Sequence, residues 1–189
     1  MSPEWVTAAS AGLTLVVIAV TAFAALRQMA HMRMGNQVAL FTAYNTEWDS
    51  PQFSAAFAFV RTLRAGDLNE ETLQGFITGS WPGELHSIRL IANFFEDMGA
   101  FVYSGILSKE IVCTLYSSNV LETWESLAPI VHYVREGRQS QAIWEFFEYL
   151  AVASEDHIAA SPEGSFPRGV RRMAADQSLA NRLPKRNQA

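Results

Sequence analysis

The chain has 189 residues, of which 49% are hydrophobic and 17% are charged, and its formal net charge at pH 7 is −5. The charged fraction is below the roughly 25% typical of soluble domains, and the high hydrophobic fraction argues against a chain that is disordered throughout. With 11 glycines, the chain is not collagen-like. The single cysteine, Cys113, excludes an intramolecular disulfide and a cysteine-based metal site.

The hydrophobic residues are concentrated near the N-terminus. Residues 5–26 read WVTAASAGLTLVVIAVTAFAAL, without a charge, and we call this segment the charge-free run. As a helix it would be about 33 Å long, enough for a hydrocarbon core of about 30 Å. It therefore predicts a transmembrane anchor. The anchor residues that we single out are Trp5, Val16, Ile18, Phe23 and Arg27.

The flanking charges predict the orientation of this anchor. Arg27, His31 and Arg33 follow the run and Glu4 precedes it, so the positive-inside rule places the N-terminus outside and the rest in the cytoplasm. The alternatives are a signal peptide, cleaved at Ala22-Phe23-Ala24, and a buried helix of a soluble core. The run lacks a basic leader and exceeds the usual length of about 7–15 apolar residues in a signal peptide, which favours an anchor.

Charge divides the chain into three predicted segments. Residues 1–33 carry a net +1, residues 34–157 a net −10 and residues 158–189 a net +4. We interpret these as a transmembrane and juxtamembrane segment, a cytoplasmic helical bundle and a basic, flexible tail. Because the bundle is acidic, we expect no binding of nucleic acid.

Apolar periodicity predicts helices throughout the bundle. A stripe of Met34, Val38, Phe41, Tyr44 and Trp48 continues the anchor helix. Gly35-Asn36 indicates either a hinge or a tolerated weak spot within it. Ser50-Pro51 predicts the start of a second helix, which ends near Gly66, and Asn69 predicts the start of a third.

The clearest helix is predicted from Pro82 to just before Gly105. Its buried seam consists of Leu85, Ile88, Ile91, Phe95, Met98 and Val102. Ser108 predicts the cap of a short helix that ends in the sequence LYSSN. Asn119 and Glu122 resemble a capping box for the next helix, in which Pro129 predicts a kink. A last helix is expected from about Ser140 to His157. The prediction is an all-α fold in which an N-terminal transmembrane helix continues into a bundle of about five to six helices.

Several segments together resemble an uncharacterised bacterial family of small, single-pass, membrane-anchored helical proteins, which is described as a domain of unknown function. They are NFFEDMGAFVYSGILSKEIV, WESLAPIVHYVREGR and WEFFEYLA, which follow a membrane helix and a juxtamembrane helix. The resemblance covers about residues 5–155 and implies a bacterial inner (plasma) membrane location but no activity. The matching positions, which we interpret as fold signatures, are Glu96, Gly99, Gly105, Trp124, Pro129 and Arg135.

One polar face and one basic segment are candidate sites. The polar face of the helix from Pro82 consists of His86, Arg89, Asn93, Glu96 and Asp97, and is either an anion pocket or acid–base pair, or a solvated helix face. The basic residues expected to contact anionic lipid are Arg168, Arg171, Arg172, Lys185 and Arg186, with Arg182 between them. The tail could instead fold back on the acidic bundle or remain a solubilising end.

The sequence contains no catalytic, nucleotide-binding or metal-binding motif, and its four histidines are scattered. We therefore expect no enzymatic activity, no cofactor and no metal. The leading hypothesis is an adaptor or regulatory module that contacts the lipid bilayer and either another protein or a second copy. The alternatives are a small-ligand sensor or enzyme that uses the polar face, and a homo-oligomeric membrane assembly formed through Ala8 and Gly12.

Overall fold

The computed structural model describes residues 3–64, 66, 68–79, 83–167 and 169–173, and within these residues the chain forms α-helices and no strand. The helices are α1 (Pro3–Trp48), α2 (Pro51–Thr62), α3 (Glu70–Thr78), α4 (Gly83–Tyr103), α5 (Lys109–Arg138) and α6 (Glu145–Ala160). The all-α prediction is confirmed, as is an N-terminal apolar helix that leads into a helical bundle.

The first helix, α1, is continuous over 46 residues and passes through Gly35-Asn36 without a break. In the described part of the chain it alone is long and apolar enough to cross a membrane, and its most apolar window is not buried. Val16, Ile18 and Phe23 are exposed, and the Arg27 guanidinium lies 5.6 Å from the centre of the Phe23 ring. The side chain of Trp5 lies outside the described residues. Gly35-Asn36 therefore lies within a continuous helix, which agrees with the second of the two interpretations, a tolerated weak spot.

Three helices begin at the predicted caps. Ser50, Asn69 and Ser108 each accept a hydrogen bond from the backbone N–H three residues later, at 3.1, 2.8 and 3.4 Å. Pro51 occupies the first helical position of α2, where its missing N–H costs nothing. These caps explain why α2, α3 and α5 begin where they do.

The bundle is built around α4, whose predicted seam is confirmed as fully buried. Helix α6 packs against both α4 and α5, and α2 covers another side of α4. The centre of the core is formed by the rings of Phe53, Phe95 and Phe147, and the rings of Phe95 and Phe147 stack 5.2 Å apart. Burial of these large rings supplies most of the driving force for packing.

The predicted break in α5 is wrong. Residues 115–119 lie inside one helix of 30 residues, and Asn119 is not a cap. The hydroxyl of Ser117 donates to the Cys113 carbonyl four residues earlier, and Thr123 donates likewise to Asn119. Because these polar groups are satisfied within the helix, residues typical of turns continue it. The helix also continues past Pro129.

Other boundaries also differ from the prediction. Helix α6 begins at Glu145 rather than near Ser140, since residues 141–144 form turns and Trp144 is left-handed with φ of 52°. Helix α2 ends at Thr62, and the predicted start at Pro82 lies outside the described residues. Met34 and Val38 are exposed, so the packed stripe of α1 begins only at Leu40.

Candidate functional site

The last turns of α1 join the apolar helix to the bundle. Leu40, Phe41, Tyr44 and Trp48 are half-buried and pack against the core. The Trp48 ring lies between 5.0 and 6.5 Å from five other rings, which are those of Phe53, Phe57, Phe94, Phe95 and Tyr116. The end of α1 is therefore part of the bundle core.

A groove lies between this part of α1 and the facing side of α4. We call it the junction groove; it has a volume of about 390 Å³. It is lined by Leu40, Ala43, Tyr44 and Glu47 of α1 and by Leu90, Asn93, Phe94, Asp97 and Phe101 of α4. The Tyr44 ring meets those of Phe94 and Phe101 edge to face, at 5.0 and 6.3 Å. The groove thus combines an aromatic wall with two carboxylates.

The electrostatics of the groove favour a cation. Glu47 and Asp97 are acidic, and the described lining includes no Lys, Arg or His. Burial raises the pKa of Asp97, which means that its carboxylate is incompletely solvated and would gain from a positive partner. An aromatic wall contacts the aliphatic stem of a basic side chain and attracts its charge. The arrangement suits a ligand that carries a cation on an apolar body.

The residues of the predicted polar face lie in different surroundings. His86 lies 3.4 Å from Gln52 of α2, measured between the two Nε2 atoms. Arg89 is half-buried on α4. Asp97 lines the junction groove, while Asn93 both lines it and accepts a hydrogen bond from the Trp144 indole N–H at 2.9 Å. The five residues therefore do not form one pocket in the described structure.

Glu96 serves the start of α6. Trp144 precedes that helix and gives no side-chain cap, but Glu96 of α4 accepts a hydrogen bond from the Phe147 N–H at 2.8 Å. Burial raises the pKa of Glu96, whereas the hydrogen bonds from Phe147 and Phe146 lower it by a smaller amount. A carboxylate here satisfies amide groups that α6 leaves unpaired and complements its dipole.

The turn between α5 and α6 is held by Arg135, whose side chain is 4% exposed. It donates to the carbonyls of Ile143 and Trp144 at 2.8 and 3.2 Å and pairs with Glu148 at 2.5 Å. These contacts of Arg135 and the cap provided by Glu96 explain two of the predicted fold signatures. Both residues fix α6 against α4 and α5.

Glycine positions complete this packing. A Cβ on Gly99 would lie 2.0 Å from the Phe146 carbonyl oxygen, so only glycine admits this approach of α6 to α4. Gly105 ends the turn after α4 with φ of 72°, which is the left-handed region that glycine adopts without strain. Trp124 packs its ring edge to face on Phe147 at 5.0 Å.

The remaining candidates lie elsewhere. Arg171 and Arg172 are exposed, and Arg172 stacks on the Phe166 ring at 4.6 Å, whereas Arg168, Arg182, Lys185 and Arg186 lie outside the described residues.

Cys113 is buried, and this burial raises its pKa, as expected of a core thiol. Among the described residues, no group of three or more His, Cys, Asp or Glu side chains is placed to hold a metal.

Most of the groove was missed by sequence reasoning. The apolar periodicity of α4 predicts one buried seam, but Leu90, Phe94 and Phe101 form a second stripe at helical spacing, with Asp97 among them. That second stripe is the signal that could have indicated a partner for α4 on its outer side.

The comparisons with known proteins give a family without an assigned activity. A family model described as "Domain of unknown function (DUF4760)" matches residues 8–154, which is most of the chain. The chain therefore belongs to this family. Comparisons with curated proteins and with solved structures give no match.

Proposed function

We propose that this protein is a single-pass, membrane-anchored interaction module of the bacterial plasma membrane, with its N-terminus outside and its bundle in the cytoplasm. In this role it acts as an adaptor or regulatory subunit, not as an enzyme. The observation that carries the proposal is α1, one uninterrupted helix with an exposed apolar half and with last turns that form one wall of the junction groove.

The junction groove is the proposed binding surface for the partner. Its aromatic wall and its carboxylates, Glu47 and Asp97, favour a basic segment of another protein, with a Lys or Arg side chain between apolar neighbours. Because α1 joins the span directly to this wall, a partner bound here is held beside the membrane. That position is what an adaptor requires.

The experiment places a photo-crosslinking amino acid at Ala43, inside the groove, or at Ala58, an exposed position on α2. Both full-length variants are expressed in bacterial cells, irradiated and purified in mild detergent. We expect an adduct with a second protein from position 43 and at least tenfold less from position 58. Equal adducts from both positions, or none from position 43, would contradict the proposal.

A second pair of variants tests whether the carboxylates of the groove recognise the partner. Glu47→Gln with Asp97→Asn removes two carboxylates from the groove, and Glu70→Gln with Glu71→Gln removes two from the exposed start of α3. We expect the position-43 adduct to fall at least fivefold in the first pair and to persist in the second. An adduct of twice the chain mass would instead indicate self-association, and a loss in both pairs would indicate a general effect of charge.

A further inference from the structure

The exposed large apolar side chains outside α1 are not scattered over the bundle. In the described residues they all fall within 103–115 and 152–173, and none lies on α2, α3 or the second half of α5. They are Tyr103, Ile106, Ile111, Leu115, Val152, Ile158, Phe166, Val170 and Met173. Soluble surfaces carry single exposed apolar residues at random, whereas a set of which most members share one end indicates a surface that meets something apolar.

The helix directions show which end this is. Tyr44 meets Phe94, and also Phe101 two turns further along α4, whereas Trp48, one turn later in α1, meets Phe94 and Phe95. Helix α1 is therefore antiparallel to α4, and the C-terminal end of α4 points back toward the charge-free run.

Helices α5 and α6 place their ends on the same side. Tyr116 of α5 hydrogen bonds to Asn45 of α1 at 2.7 Å, and Cys113 lies 3.7 Å from the Ala153 carbonyl of α6. Only five residues separate α4 from α5, so α5 starts at the C-terminal end of α4. Helix α6 is antiparallel to α5, since Phe147 meets Trp124 while Ala153 meets Cys113, and its end therefore also lies toward the charge-free run. We call this side, formed by residues 103–111 and 156–173, the anchor-facing end; it contains seven of the nine exposed residues, all but Leu115 and Val152.

The distance from this end to the charge-free run is short. At about 1.5 Å per residue, these two contacts place the end of α6 roughly level with Gly35, about 14 Å along α1 from Leu26. The headgroup layer occupies about 5–7 Å of that distance. An ordinary tilt of a spanning helix, about 20°, brings the side of the bundle away from α1 several ångströms closer to the headgroups. Residues 161–173 follow α6 and lie against the start of α5, because Phe166 and Arg172 line a cavity together with Glu110 and His157, and residues 166, 170 and 173 are exposed and apolar.

The described charges at this end are mixed. Lys109, Arg171 and Arg172 lie here together with Glu110, Asp156 and Glu163. In the sequence, residues 174–189 add Arg182, Lys185 and Arg186 against one acidic residue, Asp176. The C-terminal sequence is therefore basic overall, which favours contact with an anionic leaflet.

We propose that the anchor-facing end rests on the headgroup region of an anionic bilayer, with Ile106 and Phe166 among the side chains that enter it. This inference rests on α1 being the membrane anchor. Apolar side chains gain by leaving water for the interface, and basic residues add attraction to anionic lipid. The contact holds the bundle against the membrane and fixes the direction in which the junction groove faces.

The experiment uses the full chain with Cys113→Ala in vesicles of zwitterionic lipid with 30% anionic phosphatidylglycerol. A cysteine replaces Ile106, or Glu136 at the opposite end of α5, or Ile18 in the charge-free run, and carries an environment-sensitive fluorophore. Nitroxide lipids labelled high in the acyl chain quench a fluorophore at the interface. We expect at least threefold more quenching at position 106 than at position 136, and a fall of at least twofold at position 106 without the anionic lipid.

The outcomes separate this inference from the anchor itself. Strong quenching at position 18 with equal, weak quenching at 106 and 136 overturns the inference and leaves the anchor in place. Absence of quenching at position 18 overturns the anchor. A fluorophore at position 106 that is shielded from both nitroxide lipid and aqueous iodide is covered by protein, which also overturns the inference. Unchanged quenching at 106 without anionic lipid overturns the role of charge.

Discussion

Glu96 stabilises the start of α6 through the position of its hydrogen-bond acceptor more than through its negative charge. It caps α6 from a neighbouring helix, yet burial raises its pKa. The folded protein therefore holds a proton on Glu96 at pH values where the unfolded chain has lost it. As the pH rises from the usual range of a carboxyl group through this raised pKa, the free energy of unfolding falls.

We predict that Glu96→Gln, which keeps an acceptor for the Phe147 N–H, changes the unfolding free energy at pH 7 by less than about 0.5 kcal/mol, while Glu96→Ala lowers it by about 1–2 kcal/mol. In the Gln variant the unfolding free energy should also fall less steeply as the pH rises. Part of the fall should remain, because the pKa of Asp97 is raised in the same direction. Urea unfolding of the full chain in detergent micelles, followed by tryptophan fluorescence from pH 4 to 8, measures both. A steeper decline in the Gln variant would contradict this account.

Gly99 offers a second prediction at the residue scale. Since an added Cβ would overlap the Phe146 carbonyl oxygen, Gly99→Ala must push α6 away from α4 and should cost about 3 kcal/mol, at the upper end for overpacking. Gly35→Ala is the control, because nothing lies within 4 Å of a Cβ there. The same urea titration should show no loss of stability in this control and a gain of up to about 1 kcal/mol, because Ala favours a helix more than Gly does. A tolerated Gly99→Ala would mean that the two helices separate easily.

At the scale of the element, the turn from α5 to α6 depends on the shape of a guanidinium group. Arg135 binds two carbonyls and a carboxylate at once, which the ammonium of Lys cannot reproduce. We predict that Arg135→Lys lowers the unfolding free energy by about 2–4 kcal/mol, since buried carbonyls lose their donors. The control is Arg61→Lys, whose exposed pair with Glu122 is worth less than about 1 kcal/mol. Equal losses in the two variants would refute a special role for Arg135.

The sequence predicted the starts of helices correctly where the contacts that determine them are local. Ser50, Asn69 and Ser108 cap helices because a cap depends on side chains and amides three residues apart. Local patterns failed at residues 115–119, where burial of Tyr116 and Ser117 against other helices outweighs the preference of the Ser and Asn residues for turns. The start of α6 and the junction groove depend on contacts made by Arg135, Glu96 and Phe101 with distant segments. No pattern along the chain contains these contacts.

The whole molecule is organised by the continuity of α1. The sequence division at residue 33 falls inside this helix, which contributes Trp48 to the core. An apolar run and a bundle core that share one helix cannot rotate independently, unless that helix bends. The structure therefore ties the orientation of the bundle to that of the proposed span.

This continuity gives a prediction about truncation. A chain that begins at Met34 keeps Leu40, Phe41, Tyr44 and Trp48 and loses only the exposed, apolar part of α1. We expect it to fold, to remain in solution and to unfold cooperatively in urea. A chain that begins at Pro51 lacks the ring that contacts five others, and exposes Phe53 and Phe94 to water. Truncation of a fully buried Trp costs about 3–5 kcal/mol, and this chain loses the half-buried Trp48 together with Tyr44, Phe41 and Leu40. Because stability is typically about 5–15 kcal/mol, this shorter chain should aggregate or unfold.

Size-exclusion chromatography and tryptophan fluorescence distinguish the two truncated chains. A chain from Met34 that aggregates would mean that the bundle needs the membrane or the first half of α1 for its stability. A chain from Pro51 that remains monomeric with an unchanged urea midpoint would mean that the last turns of α1 only rest on the bundle. In that case the groove between α1 and α4 would open and close freely, and the orientation of the bundle would not follow the anchor.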